Sequence, residues 1–194
     1  MQKIIAFLER NKFVILASVI LIAAVAAIEF LSGRSPLGPD GKFGWWDGNI
    51  WGSENSQRLT DAYSLTHILH GILFYGALRL ALPKLPARYR LIIAVALESA
   101  WELLENSPII INRYRAATIS LGYFGDSILN SCSDIVMMAL GFTFASRVKA
   151  RTAVIAVVLV ELLLLLWVRD NLSLNIIMLI HPINAVKLWQ AAGH

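Results

Sequence analysis

Five long apolar stretches, at 13–31, 61–82, 91–107, 126–145 and 152–168, alternate with short polar segments along this chain. Each approaches the ~17–25 residues that a helix needs to cross the hydrocarbon layer of a bilayer. The pattern predicts an all-α integral membrane bundle of about five transmembrane helices, folded as a single membrane domain over 1–194. The first stretch is long and lacks a small-residue cleavage site, so it is read as a retained span rather than a signal peptide. Segment 32–60 is rich in Gly, Pro, Asn and Asp and carries Trp45, Trp46 and Trp51. Indole rings favour the headgroup zone, so this segment is expected to lie folded on the membrane surface. Segment 108–124 reads as a polar connection. The apolar tail 172–189 is broken at His181-Pro182, which predicts a helix lying at the interface or re-entering.

Composition agrees with the pattern: 57% of residues are hydrophobic, 15% are charged and the mean hydropathy is +0.63, which excludes an ordinary soluble domain. The net charge of +4 does not indicate nucleic acid, because the cations stand in three short clusters between stretches. These are Lys3, Arg10 and Lys12, then Lys84, Arg88 and Arg90, then Arg147, Lys149 and Arg151. Such clusters mark cytoplasmic loops, so the N-terminus is expected in the cytoplasm and the tail outside. A lone cysteine, Cys132, excludes an intramolecular disulfide.

Polar residues inside the apolar stretches carry the chemistry. His67 and His70 are spaced i, i+3; Glu98, Glu102 and Glu105 are i, i+4, i+7; Asp126, Asn130 and Asp134 are i, i+4, i+8. Each set therefore shares one helical face. Ionisable groups in a membrane are costly, and by default they mark a site. With the N-terminus inside, all three sets and the segment Arg169-Asp170-Asn171 fall at the external side. A rise of ~1.5 Å per residue puts His67 and Glu105 about 5 Å deep, His70 and Glu102 about 8 Å, and Glu98 and Asp134 about 12 Å. This predicts that His70 meets Glu102. Glu29 is expected at the interface, and Glu161, alone in its stretch, is expected to be protonated or paired.

Two imidazoles among carboxylates suit a divalent metal such as Zn, Mn or Fe. His67, His70, Glu98, Glu102 and Asp126 are the expected ligands, with Asp134 or Glu105 as general base and Asn130 or Arg169 steadying an oxyanion. The corresponding activity is a metal-dependent hydrolase or transferase acting on a lipid-linked or envelope substrate at the membrane. A metal-free aspartyl mechanism would leave the histidines without a role in catalysis. An ion- or proton-coupled carrier would use the same buried groups, but the cytoplasmic half offers only Glu161 as an exit path. A structural polar core is the remaining alternative.

The motifs Asp61-x5-His67-x2-His70-Gly71, Glu98-x2-Trp101-Glu102-x2-Glu105-Asn106-Ser107-Pro108, Gly125-Asp126-Ser127-x2-Asn130-Ser131-x2-Asp134 and Arg169-Asp170-Asn171-x-Ser173-x-Asn175 together resemble an uncharacterised family of bacterial multi-pass inner-membrane proteins. The resemblance implies an inner-membrane location, hence a site facing the periplasm, and implies no activity. Asn130-x3-Asp134 is similar to the Asn and Asp element of lipoprotein signal peptidase, although a second such element is lacking. The start of the second stretch, from Asp61 to His70, is similar to the Asp and His segment of VanZ-like membrane proteins.

The topology has a direct check. A cysteine introduced by Gly41→Cys should react with a membrane-impermeant maleimide added to intact spheroplasts. Labelling only after the membrane is opened would reverse the orientation and the side of the site.

Overall fold

The computed structural model describes residues 2–192, with side chains from residue 9 onward; Lys3 of the first basic cluster lies outside the described side chains. The fold is all-α. Among the described residues eight helices follow one another: α1 Gln2–Leu31, α2 Ser64–Ala81, α3 Ala87–Glu105, α4 Pro108–Ala117, α5 Ile128–Arg147, α6 Ala150–Val168, α7 Leu172–Ile180 and α8 Asn184–Ala191. A two-residue parallel bridge, β1 Trp46–Asp47 with β2 Thr60–Asp61, closes the tryptophan segment. Among the described residues three helices are long and apolar enough to cross a membrane: the 9–31 part of α1, α5 and α6. The helices α2 and α3 stand outside that set because they carry the histidines, the glutamates and Arg79, Arg88 and Arg90.

Where the pattern predicted only a polar connection, α4 forms; Pro108 sets its first turn, as a residue with fixed φ and no N–H can. The tail resolves into two short helices separated at His181-Pro182. Glu161 is accounted for: its carboxylate accepts from the backbone N–H of Leu172 (3.0 Å) and Ser173 (3.2 Å), the free amides at the start of α7.

α5 is the central helix, and the buried core of Val25, Ala94, Val95, Ile135, Met138 and Phe142 gathers around it from α1 and α3. α2 packs on α5 backbone to backbone. A Cβ on Gly71 would overlap the Met138 carbonyl, and one on Gly141 would overlap the Ile68 carbonyl, so the two glycines permit this close approach. The outer faces of α1 and α6 remain apolar and uncovered, as at Leu16, Val19, Leu159 and Leu166.

Segment 32–60 folds over the start of α5. The N–H groups of Ser127, Ile128 and Leu129 donate to the carbonyls of Ser56, Ser35 and Pro36, and the Asn130 N–H donates to Ser127 Oγ. The amides that a helix N-terminus leaves unpaired are thereby satisfied by the loop. Arg58 clamps the loop itself, donating to both oxygens of Asp40 and pairing with Glu54 at 2.7 Å. Trp45 is 73% exposed and Trp46, half exposed, stacks on Trp167 at 5.9 Å.

The glycine contact makes a stability prediction. Gly71→Val should lower stability by more than ~2 kcal/mol, because the obstruction is backbone that cannot swing aside. Gly76→Ala, on the same helix with open space around it, should be neutral or stabilising by up to ~1 kcal/mol. Unfolding in detergent measures both.

Candidate functional site

α2 starts at Ser64 rather than at the 61 boundary read from the pattern, because Asp61 is used outside the helix. Its carboxylate accepts from the N–H groups of Ser56 (2.9 Å), Tyr63 (2.7 Å) and Ser64 (3.1 Å). Asp61 thus pins the first turn of α2 to the tryptophan loop. Ser64 Oγ in turn accepts from the Asp61 N–H and donates to Asp134 Oδ1 at 2.8 Å, linking α2 to α5.

One turn deeper the histidines meet the glutamates. His67 Nδ1 lies 2.6 Å from Glu98 Oε1, and His70 Nδ1 lies 2.9 Å from the same oxygen and 3.1 Å from Oε2. His67 Nδ1 is also 3.4 Å from Glu102 Oε1, and its Nε2 is 3.7 Å from Asp134 Oδ2. The expected pair of His70 with Glu102 is replaced by His70 with Glu98. Counted from the facing ends of these antiparallel helices, at Ser64 and Glu105, His67 and Glu102 are each three residues in, while His70 and Glu98 are six and seven residues in. Glu102 comes level with His67, and Glu98 with His70.

Glu102 is the least compensated group in this cluster. It is 0% exposed, and neither carboxylate oxygen has a hydrogen-bond partner. A buried carboxylate in that condition needs a proton or a cation. Two sets of donor atoms lie within 4.8 Å of one another: His67, His70 and Glu98, and His67, Glu102 and Glu105. Both include His67. Among the described residues Asp126 and Asp134 belong to neither set, so the expected ligand role of Asp126 is not reproduced by the geometry.

Asp126 lies instead in a hub built by Asn106, just beyond the end of α3. Asn106 Oδ1 accepts from the Asp126 N–H at 2.6 Å, which fixes the amide orientation. Its Nδ2 then faces Glu29 Oε1 (3.0 Å), Ser131 Oγ (3.0 Å) and Asp126 Oδ2 (3.3 Å). Glu29, expected at the interface, is buried here because α1 packs against α3 and α5 at this level. Tyr123 OH donates to Asp126 Oδ1 at 2.9 Å. Burial pushes the Asp126 carboxyl up to about 6, and the tyrosine bond offsets only part of this. Asn106 stands in the glutamate motif without an expected role of its own, yet it is i+4 from Glu102 and so continues the stripe.

A cavity of about 510 Å³ joins these groups. His67, His70, Glu98, Glu105, Asp126 and Asp134 line one part of it, and Asn130 reaches it while its Nδ2 donates to the Arg58 carbonyl at 2.9 Å. The other wall is apolar, with Leu73, Phe74, Leu97, Trp101, Leu104 and Ile176. Leu73, Leu97, Leu104 and Ile176 are each nearly half exposed, so the cavity opens sideways between α2, α3 and α7. Arg169 takes no part. Its φ of 54° ends α6, and its guanidinium donates to the Trp189 carbonyl at 3.0 Å and lies over the Trp189 ring.

Comparison with known proteins now places the chain. Residues 29–192 match the family described as a protein of unknown function, DUF2585. The chain belongs to the DUF2585 family. A UPF0314 protein of Sphingopyxis alaskensis is 45% identical over 178 residues, covering 92% of this chain and 95% of its own. A UPF0314 protein of Rhizobium etli is 47% identical over 182 residues, covering 94% and 93%. One from Paracoccus denitrificans is 47% identical over 173 residues, covering 89% and 90%. No solved structure matches. The DUF2585 match begins at Glu29, so it takes in the whole hub and cluster and leaves out only the earlier part of α1 and the last residues.

A second polar group ties Tyr63, a residue of the cavity wall, to the tail. Tyr63 OH donates to Asp170 Oδ2 (3.1 Å), while Gln190 Nε2 and the Asn171 N–H donate to Oδ1 (3.0 Å each). Burial pushes the Asp170 carboxyl from the ordinary 3.8 up to about 6 against the lowering effect of these donors. A group that holds its proton more tightly when folded stabilises the fold most below about pH 4, and that contribution is lost as pH rises through about 6. Asp170→Asn should therefore flatten the fall in stability between about pH 4 and 6, a difference on the order of 2 kcal/mol across the window. Unfolding of both proteins in detergent at a series of pH values reads this slope; parallel curves would contradict it.

Proposed function

We propose that this protein is a metal-dependent hydrolase or transferase of the bacterial inner membrane, acting at the periplasmic face on a lipid-linked or envelope substrate. In this reading 1–194 is one membrane domain with five spans, α1, α2, α3, α5 and α6. The polar faces of α2 and α3 are turned to each other, which removes the main objection to their crossing a bilayer. The observation that carries the reading is Glu102: a fully buried carboxylate, without a hydrogen bond, behind His67, which itself lines the polar part of an amphipathic cavity.

The donors fit a borderline divalent ion such as Zn, Mn or Fe, for which imidazole nitrogen and carboxylate oxygen are the usual ligands. His67, His70, Glu98, Glu102 and Glu105 would hold it. When bound, such an ion supplies Lewis acidity to an ester or phosphoester oxygen. The chain's own residues do the rest. Asp134, 3.7 Å from His67 Nε2 and held by Ser64, is placed to accept a proton from water or a substrate hydroxyl. Asn130 offers an amide at the cavity wall, and the part first given to Arg169 passes to it. The sideways opening through Leu73, Leu97 and Leu104 lets an acyl or isoprenoid chain stay in lipid while its polar head reaches the histidines.

Metal analysis of detergent-purified protein tests the reading. The parent should carry close to one equivalent of a transition metal, and His67→Ala should lower the affinity by more than roughly tenfold. A chelator should lower the unfolding midpoint of the parent and leave that of His67→Ala unchanged. Metal-free parent protein, with no chelator effect and with Glu102→Gln as stable as the parent, would leave a structural polar core in its place.

A further inference from the structure

The far end of α3 holds a second buried charge that the carboxylate site does not use. Arg90, in the first turns of α3, is 7% exposed, and neither its Nε nor its Nη1 has a hydrogen-bond partner. Its Cζ lies 5.6 Å from the centre of the Tyr75 ring on α2. Arg79, one turn after Tyr75, donates from Nη1 to the Tyr75 hydroxyl at 3.4 Å. Two guanidinium groups therefore meet on one tyrosine, one at its ring and one at its hydroxyl.

No carboxylate answers them. Among the described residues the arginine and lysine ion pairs are those of Arg58, in the tryptophan loop at the other end of the bundle. Lys84 and Arg88, in and just after the turn between α2 and α3, add to the positive field, and the ring of Tyr75 compensates a buried guanidinium only in part. A planar fork with unused N–H groups is the counterpart of an oxyanion that presents several oxygens, above all a phosphate. Leu80 and Leu82, which follow Arg79 at the end of α2, are 85% and 39% exposed. Free phosphate gains nothing from those leucines, whereas the chains of a phospholipid cover them. Basic pockets between helices at a membrane surface bind anionic headgroups on this principle.

We propose that Arg90 and Arg79, with Tyr75 between them, bind the phosphate of an anionic phospholipid. The site stands at the opposite end of α3 from Glu102 and does not depend on whether that end holds a metal. Its test compares the full chain in neutral detergent with added phosphatidylglycerol, phosphatidylcholine or inorganic phosphate, reading the unfolding midpoint. Phosphatidylglycerol should raise the midpoint of the parent by ~5 °C, and the other two should raise it little. Arg90→Gln should lose the shift, measured against its own midpoint without lipid. Arg79→Gln, a change at an exposed residue that leaves the fold intact, should lose at least half of it. Equal shifts from phosphatidylcholine would overturn the proposal, as would an undiminished shift in both variants. A full shift from inorganic phosphate at the same concentration would assign the site to a free anion and overturn the lipid as its source.

Discussion

A carboxylate taken out of water must find a proton, a donor or a cation, and this bundle is arranged around that demand. Glu29, Glu98, Glu102, Asp126 and Asp134 are all buried at one end of helices whose outer faces are apolar. Most are answered by specific partners: two imidazoles for Glu98, the Asn106 amide for Glu29 and Asp126, Ser64 for Asp134. Asp61 is satisfied by backbone amides that also start α2. Glu102 alone of these acids has both oxygens without a hydrogen bond, so the bundle gathers its polar groups around a charge that side chains do not fully compensate. That is the physical case for a cation.

The same constraint explains the packing. To bring His67 and His70 to Glu98, α2 must lie deep against its neighbours, and Gly71 and Gly141 remove the side chains that would hold α2 and α5 apart. The tryptophan loop supplies carbonyls to the first amides of α5, which fixes Asp126 and Asn130 at the cavity. At the tail, Arg113 donates to the carbonyls of Leu179 and Ile180, and Asp170 gathers Tyr63 and Gln190. These bonds hold α7 beside the opening through which an amphiphilic molecule would pass.

Much of this was legible in the sequence because helical spacing sorts residues by face. The stripes of His67 and His70 and of Glu98, Glu102 and Glu105 converge as their periodicity requires. Depth was less legible. A helix end is set by local hydrogen bonds, and the partner of His70 depends on where α2 begins, at Ser64, as well as where α3 ends, at Glu105. Asp126 reads as a helical residue by spacing, yet Ser127 caps α5 and leaves it in the loop. Arg169 lies beside the polar groups in sequence, but its left-handed backbone and the Trp189 ring carry its side chain away. Glu29 was misjudged because a single polar residue near a helix end looks interfacial until the helix packed against it is known. The residues that give α2 and α3 a shared polar interior also keep both helices out of the set apolar enough to cross a membrane.

The central claim is that a cation, rather than a proton, balances Glu102. The infrared difference spectrum recorded on adding chelator tests it most directly, with Glu102→Gln used to assign the carbonyl stretch of a protonated carboxylic acid. The account predicts that this band is absent before chelation, appears when the metal is withdrawn and is missing from the variant. A Glu102 band already present in protein as purified, and unmoved by chelator, would contradict it.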